Sequence, residues 1–151
     1  DWGVLADETL ATNLPHVWAA GDVAETADRL TGRRYVHAIW PNAEAQGRVI
    51  AERILGYETV YEGAEMMNSL RHLGVPVIAA GEVAGDEELR VRRGDSLRKI
   101  VLHDNHIVGF RLVGDVRGAG AYRALMLRGT DVGAWRDELL EPGFGLTRLA
   151  A

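Results

Sequence analysis

The chain has 151 residues, a formal net charge of −5, 47% hydrophobic and 26% charged residues, and no cysteine. These proportions allow a hydrophobic core for one domain or two small ones; the acidic balance argues against nucleic acid, and the lack of cysteine excludes a disulfide scaffold, a thiolate metal site and a redox dithiol within these residues. With no apolar run long enough to span a bilayer and no basic, apolar leader, neither a membrane segment nor a secretory signal is expected, and the composition suits a reducing cytoplasm.

The opening residues, Asp1-Trp2-Gly3-Val4-Leu5, enter in mid-pattern and predict a short strand or strand end, then a turn over Asp7 to Thr12. Pro15 opens a second predicted strand, His16 to Ala20, which stops at Gly21-Asp22 with no polar spacer. Polar residues from Glu25 to Arg34 follow, with a turn signal at Thr31-Gly32. A helix is predicted to begin at Pro41, because the first helical N–H has no intrahelical partner to lose. Ala43, Gly47, Ile50 and Ile54 recur at helical spacing and read as its buried stripe, with Gly47 admitting a close neighbour and Gly56 closing the last turn.

From Tyr61 onward the pattern becomes strand-rich: Asn68 to Leu73, Val75 to Ala80, Leu89 to Arg93, Leu97 to His103 and His106 to Val113. Asp104-Asn105 reads as a two-residue hairpin turn between the last two runs. A helix from Gly118 to Leu127 closes at Gly129, and a shorter one, Trp135 to Leu140, stops before Pro142. Strands followed by helices predict an α+β fold: the remnant of an α/β domain over residues 1–58, then a small domain over 59–151 with an antiparallel sheet and helices.

Few residues carry chemistry. A glycine and an aspartate at the end of a strand put a carboxylate where α/β folds bind ligands, and it can accept hydrogen bonds from a ligand hydroxyl. Taken alone, Gly21 and Asp22 fit equally a turn aspartate capping the next segment, and that is the better reading of two residues. His103 and His106 flank a hairpin turn with only Asp104 to help them, so they read as surface histidines and no metal site is expected. His16, His37 and His72 have no partner discernible in the sequence. Gly118-Ala119-Gly120-Ala121-Tyr122-Arg123 follows a strand and opens a helix, but Arg123 stands where a dinucleotide loop needs a small residue, and no βαβ return follows; it reads as a turn into a packing helix. Arg90 and Arg92 share one face of a strand and read as solvated. No general acid, base or nucleophile can be assigned, so no catalytic residue is expected.

The residues around Asp22 tip the balance. Thr12, Pro15, Val17, Trp18, Ala19, Gly21 and Asp22, in "TNLPHVWAAGDV", resemble the second FAD motif of the FAD-dependent pyridine nucleotide-disulfide oxidoreductases, flavoprotein disulfide reductases and their cysteine-free relatives. Residues 61 to 129, with "LRHLGVPVIAAGEV" and "KIVLHDNHIVGFRLVGD", are similar to the C-terminal domain of the rubredoxin reductase and nitrite reductase large-subunit branch. The resemblance implies that residues 1–58 are the C-terminal part of an FAD-binding domain. Asp22 would then hold a ribityl hydroxyl of FAD, beside Gly21 and Val23. Trp40 and Pro41 would open a helix aimed at the flavin pyrimidine edge, where a helix N-terminus suits the charge of reduced flavin.

The family's two glycine-rich loops, one for the FAD pyrophosphate and one for NAD(P)H, have no match here, so the partners implied are N-terminal FAD and NAD(P)H domains outside this chain. The resemblance further implies a redox acceptor, protein or small molecule, and a homodimer through the C-terminal domain. The parent protein would be an FAD-dependent NAD(P)H oxidoreductase, and this chain alone inactive. The competing expectation is an isolated binding or dimerisation module without flavin, and neither expectation includes nucleic acid or a membrane.

Overall fold

A computed structural model describes residues 2–72 and 74–145, in two compact units, Asp1–Met66 and Met67–Ala151. The division falls later than the boundary after residue 58 expected from composition. The reason lies in backbone pairing: Tyr61 N–H donates to Glu8 O, Ala64 N–H to Ala27 O, and Arg29 N–H to Ala64 O. Ala64 is fully buried, and residues 59–66 thereby belong to the first unit.

The first unit is built on a three-stranded sheet in the order β1 (Val4–Leu5), β2 (Ala24–Ala27), β3 (Arg34–Val36), with β1 parallel and β3 antiparallel to β2. The predicted strand over His16 to Ala20 does not form. Those residues are the return arm of a small loop closed by one bridge, Ala11 to Trp18, with Leu10 and His16 at positive φ. Pro15 lacks a ladder donor and the arm finds no second partner, so it cannot extend into a sheet. The strand lies on the other side of the Gly-Asp pair instead. β2 holds the centre, and its Glu25 is buried because the carboxylate accepts the Trp2 N–H (2.7 Å). The expected turn at Thr31-Gly32 joins β2 to β3, with Gly32 at φ +68° and its N–H on Asp28 O.

Helix α1 spans Trp40–Ile54, with Pro41 second rather than first. It ends as predicted at Gly56, where the Gly56 and Tyr57 N–H groups bond back to Arg53 O and Glu52 O. Its buried face is shifted by one residue from the predicted stripe: Asn42, Gln46 and Val49 are buried, whereas Gly47 and Ile54 are exposed and nothing approaches Gly47. Two amides on that face do what an apolar stripe cannot, bonding the backbone of irregular segments. The core beside them is small: Ala6, Leu10, Ala19, Ala24 and Val49, with Trp18, Ile50 and Tyr61 against it.

The second unit matches the α+β expectation closely. Five antiparallel strands, β4 (Met67–Leu70), β5 (Val77–Gly81), β6 (Glu87–Arg93), β7 (Ser96–His103) and β8 (His106–Val113), lie in the order β4-β5-β8-β7-β6. The strand predicted over Asn68 to Leu73 ends at Leu70, and Leu73 lies outside the described residues. Asp104 and Asn105 both have positive φ, as a two-residue hairpin requires. Helix α2 (Ala119–Arg128) packs on β8, where Tyr122 stacks on Phe144 and meets Phe110 at a tilt, and the Tyr122 hydroxyl donates to Leu139 O (2.5 Å). The short helix predicted from Trp135 to Leu140 is two single 3₁₀ turns, Gly133–Trp135 and Glu138–Leu140.

Where β5 leaves the sheet, its neighbour admits no side chain. A Cβ on Gly109 of β8 would lie 2.0 Å from Glu82 O, and backbone cannot yield as a flexible side chain does. Gly109→Ala is therefore expected to cost about 1–3 kcal/mol of stability. Urea unfolding followed by Tyr and Trp fluorescence measures it, and an unchanged midpoint would contradict the close approach.

Candidate functional site

Gly21, Asp22 and Val23 form one 3₁₀ turn that leads into the amino end of β2. The carboxylate thus sits where the chain enters a strand, not where it leaves one, which corrects the expectation of a strand-end aspartate. The turn is held on both sides. Gly21, at φ +74°, donates its N–H to Gln46 Oε1 (2.7 Å), and a Cβ placed on it would lie 3.6 Å from Ala43 Cβ in the first turn of α1. Ala24 N–H bonds back to Gly21 O.

Gln46 is 2% exposed, and its Nε2 lies 3.5 Å from Thr26 Oγ1 of β2. Beside it is the buried Tyr61 hydroxyl; burial pushes that phenol up, and Gln46 partly offsets the shift. One turn earlier on α1, Asn42 clamps the connector: Nδ2 donates to Glu65 O (3.0 Å) and Oδ1 accepts the Glu65 N–H (3.1 Å).

The expected site residues meet on this frame. Asp22 is exposed, and among the described residues its carboxylate has no hydrogen-bond or ion-pair partner. Val23 is 54% and Trp40 83% exposed, and Pro41 is exposed too. A bare carboxylate and three apolar side chains therefore flank a turn and a helix start joined by a half-buried hydrogen bond. At that helix start Asn42 N–H and Ala43 N–H both reach Ile39 O, and Pro41 has no N–H to offer. The donor set of the helix N-terminus is accordingly narrower than a free first turn provides.

Sequence reading missed a second constellation. Asp28 and His37 are buried together, with Nε2 3.0 Å from Oδ2, while His37 Nδ1 faces Tyr35 O (3.2 Å) and its ring stacks on Tyr35. Asp28 Oδ1 also accepts the Leu30 and Thr31 N–H groups and the Thr31 hydroxyl. Burial alone would raise the Asp28 carboxyl, but His37, Thr31 and Leu30 bring it down to about 2. The only sequence signal was Asp28 three residues before Thr31, a turn-capping spacing; its partner His37 arrives through the hairpin.

The remaining histidines stay at the surface. His103 Nδ1 lies 2.7 Å from Asp86 Oδ2 and His106 Nδ1 2.7 Å from Asp104 O, while His16 and His72 are exposed. Among the described residues no group of three or more His, Cys, Asp or Glu side chains could hold a metal, and no helix is long and apolar enough to cross a membrane. Gly118 caps α2 in a left-handed conformation, with no room for a Cβ beside Phe144 O.

No family model matches the chain. Among curated proteins it is 33% identical over 155 residues to the 5,5'-dehydrodivanillate O-demethylase ferredoxin reductase subunit of a Sphingobium strain, covering 99% of this chain and 36% of that protein. It is 31% identical over 119 residues to nitrite reductase [NAD(P)H] of Bacillus subtilis, covering 75% of this chain and 14% of that protein. The fold matches the crystal structure of a ferredoxin reductase from Rhodopseudomonas palustris with a TM-score of 0.81 at 22% identity, over 99% of this chain and 37% of that one. The chain therefore spans roughly a third or less of the length of these relatives.

Asp28 contributes to the pH dependence of the first unit. Its folded-state carboxyl lies below the ordinary value of 3.8, so its stabilising contribution is complete above about pH 4 and is lost as pH falls toward 2, by roughly 2 kcal/mol. Asp28→Asn should lower stability at neutral pH and flatten this acid limb. Denaturant melts near pH 6 and near pH 3 check it; equally steep acid loss in both proteins would remove Asp28 as the cause.

Proposed function

Because the chain belongs to the pyridine nucleotide-disulfide oxidoreductase family, matching the C-terminal part of its members, we propose that the first unit completes an FAD site. Asp22 accepts a hydrogen bond from a ribityl hydroxyl, Gly21 and Val23 bring the backbone close to it, and the start of α1 at Trp40 and Pro41 lies along the pyrimidine edge. The observation that carries this reading is the exposed, unpartnered Asp22 carboxylate on a turn locked to α1. A carboxylate kept free of protein partners beside exposed Val23 and Trp40 fits a ligand that is polar along its chain and flat and apolar at its ring.

In the whole protein, FAD supplies hydride acceptance from NAD(P)H and onward electron transfer to a redox acceptor. The residues of this chain supply grip and orientation. NAD(P)H and the FAD pyrophosphate would be held by polypeptide preceding it, and the sheet unit would serve as a packing and dimerisation domain. The names of the relatives favour a ferredoxin-like protein as acceptor. A cytoplasmic working place accompanies the proposal.

A second reading is that the isolated chain is a non-catalytic module. Trp2, Leu14, Val17, Leu55 and Tyr57 are exposed apolar side chains on the first unit that an associating partner would cover.

Asp22→Ala in the intact flavoprotein should reduce flavin occupancy with little change in fold, since losing a charge-assisted hydrogen bond costs about 1.5–3 kcal/mol. The 450 nm absorbance per polypeptide reads this directly, and normal occupancy would return Asp22 to a turn-capping role. The 151-residue chain by itself should bind FAD weakly or not at all, because helix-start contacts to the pyrophosphate are absent from it. Stoichiometric FAD retained through gel filtration would contradict that.

A further inference from the structure

We propose that Gln46 is a positioning residue for the flavin face: its buried amide sets the Gly21–Val23 turn against the first turn of α1 and so determines where Asp22 presents its carboxylate. This rests on the reading of Asp22 given above. Gln46 would touch no ligand. It acts through Gly21, whose N–H lies 2.7 Å from Gln46 Oε1 and whose backbone at φ +74° directs the next residue outward.

Three features favour this role over plain packing. Gln46 is 2% exposed on a helix face that also carries Val49, where an apolar side chain would satisfy packing equally well. An apolar residue there would leave the half-buried Gly21 N–H without its acceptor, and the turn would relax toward whatever partner it could find. The amide also bridges separate pieces of chain, since Nε2 lies 3.5 Å from Thr26 Oγ1 of β2 and the buried Tyr61 hydroxyl lies beside it. Turn, central strand and connector thus converge on one side chain of the helix whose start carries Trp40 and Pro41. The carboxylate and the helix start are held as one body.

The test compares Gln46→Leu, which removes the acceptor, with Gln46→Glu, which restores one at nearly the same position. In the 151-residue chain, hydrogen exchange of the Gly21 amide should quicken about tenfold in the leucine variant and stay slow in the glutamate variant. In the intact apo-flavoprotein titrated with FAD, affinity should fall about tenfold in Gln46→Leu and recover in Gln46→Glu. Gln46→Met takes the place of the leucine variant if that protein does not fold. A faster Gly21 amide with unchanged FAD affinity would overturn the positioning role while leaving the Asp22 reading intact. Equal loss in the apolar and glutamate variants would reduce Gln46 to packing. Normal FAD binding by Asp22→Ala would instead remove the premise on which the inference rests.

Discussion

A buried backbone amide or carbonyl has to be paired, and the first unit has too little regular structure to pair its own. Its three strands hold two, four and three residues, and irregular chain connects them. Helix α1 meets this constraint with side chains: Asn42 serves both backbone groups of Glu65, and Gln46 serves Gly21. An amide offers both acceptor and donor, which is what backbone groups of unknown polarity need. The buried face of α1 is polar for that reason, and the small apolar core gathers around it.

The second unit rests on a different principle. Its five-stranded sheet pairs its own backbone in ladders, so the helix packed on it is free to present apolar and aromatic side chains. Phe110 of the sheet meets Tyr122 of α2, and both are nearly inaccessible, as are Ile100, Leu112 and Leu125. Arg98, 5% exposed, donates to Glu141 O and Arg117 O under the ring of Tyr122, while Arg117 grips Asp115 with two bonds and holds that carboxyl down to about 2. One unit is therefore specified by amide-to-backbone bonds and the other by interdigitated apolar volume.

This contrast matters for the proposed chemistry. A flavin site needs polar groups aimed outward from a rigid support, and side-chain straps to backbone give rigidity without using the groups that face ligand. Asp22 remains uncommitted because its neighbour Gly21 carries the structural bond. Asp28 shows the opposite allocation: it is buried against His37, accepts from Thr31 and Leu30, and has nothing left for a ligand.

The sequence by itself determined most elements of the second unit, though not the end of β4 or the two 3₁₀ turns. Alternating apolar residues, a two-residue turn at Asp104-Asn105 and a glycine stop at Gly129 encode local geometry, and antiparallel neighbours joined by tight turns need little else. The family was legible as well, because Thr12, Pro15, Gly21 and Asp22 stand in a pattern that resembles the family's second FAD motif. Tertiary structure alone decided the rest of the first unit. Strand formation depended on which segment found a partner, so Ala24–Ala27 became the central strand and His16 to Ala20 did not. The buried face of α1 moved one residue from the apolar stripe because the surrounding loops presented unpaired backbone, a demand that hydrophobic periodicity does not record. His37 found Asp28, and Gln46 found Gly21, across separations of 9 and 25 residues, where only the folded chain brings the partners together.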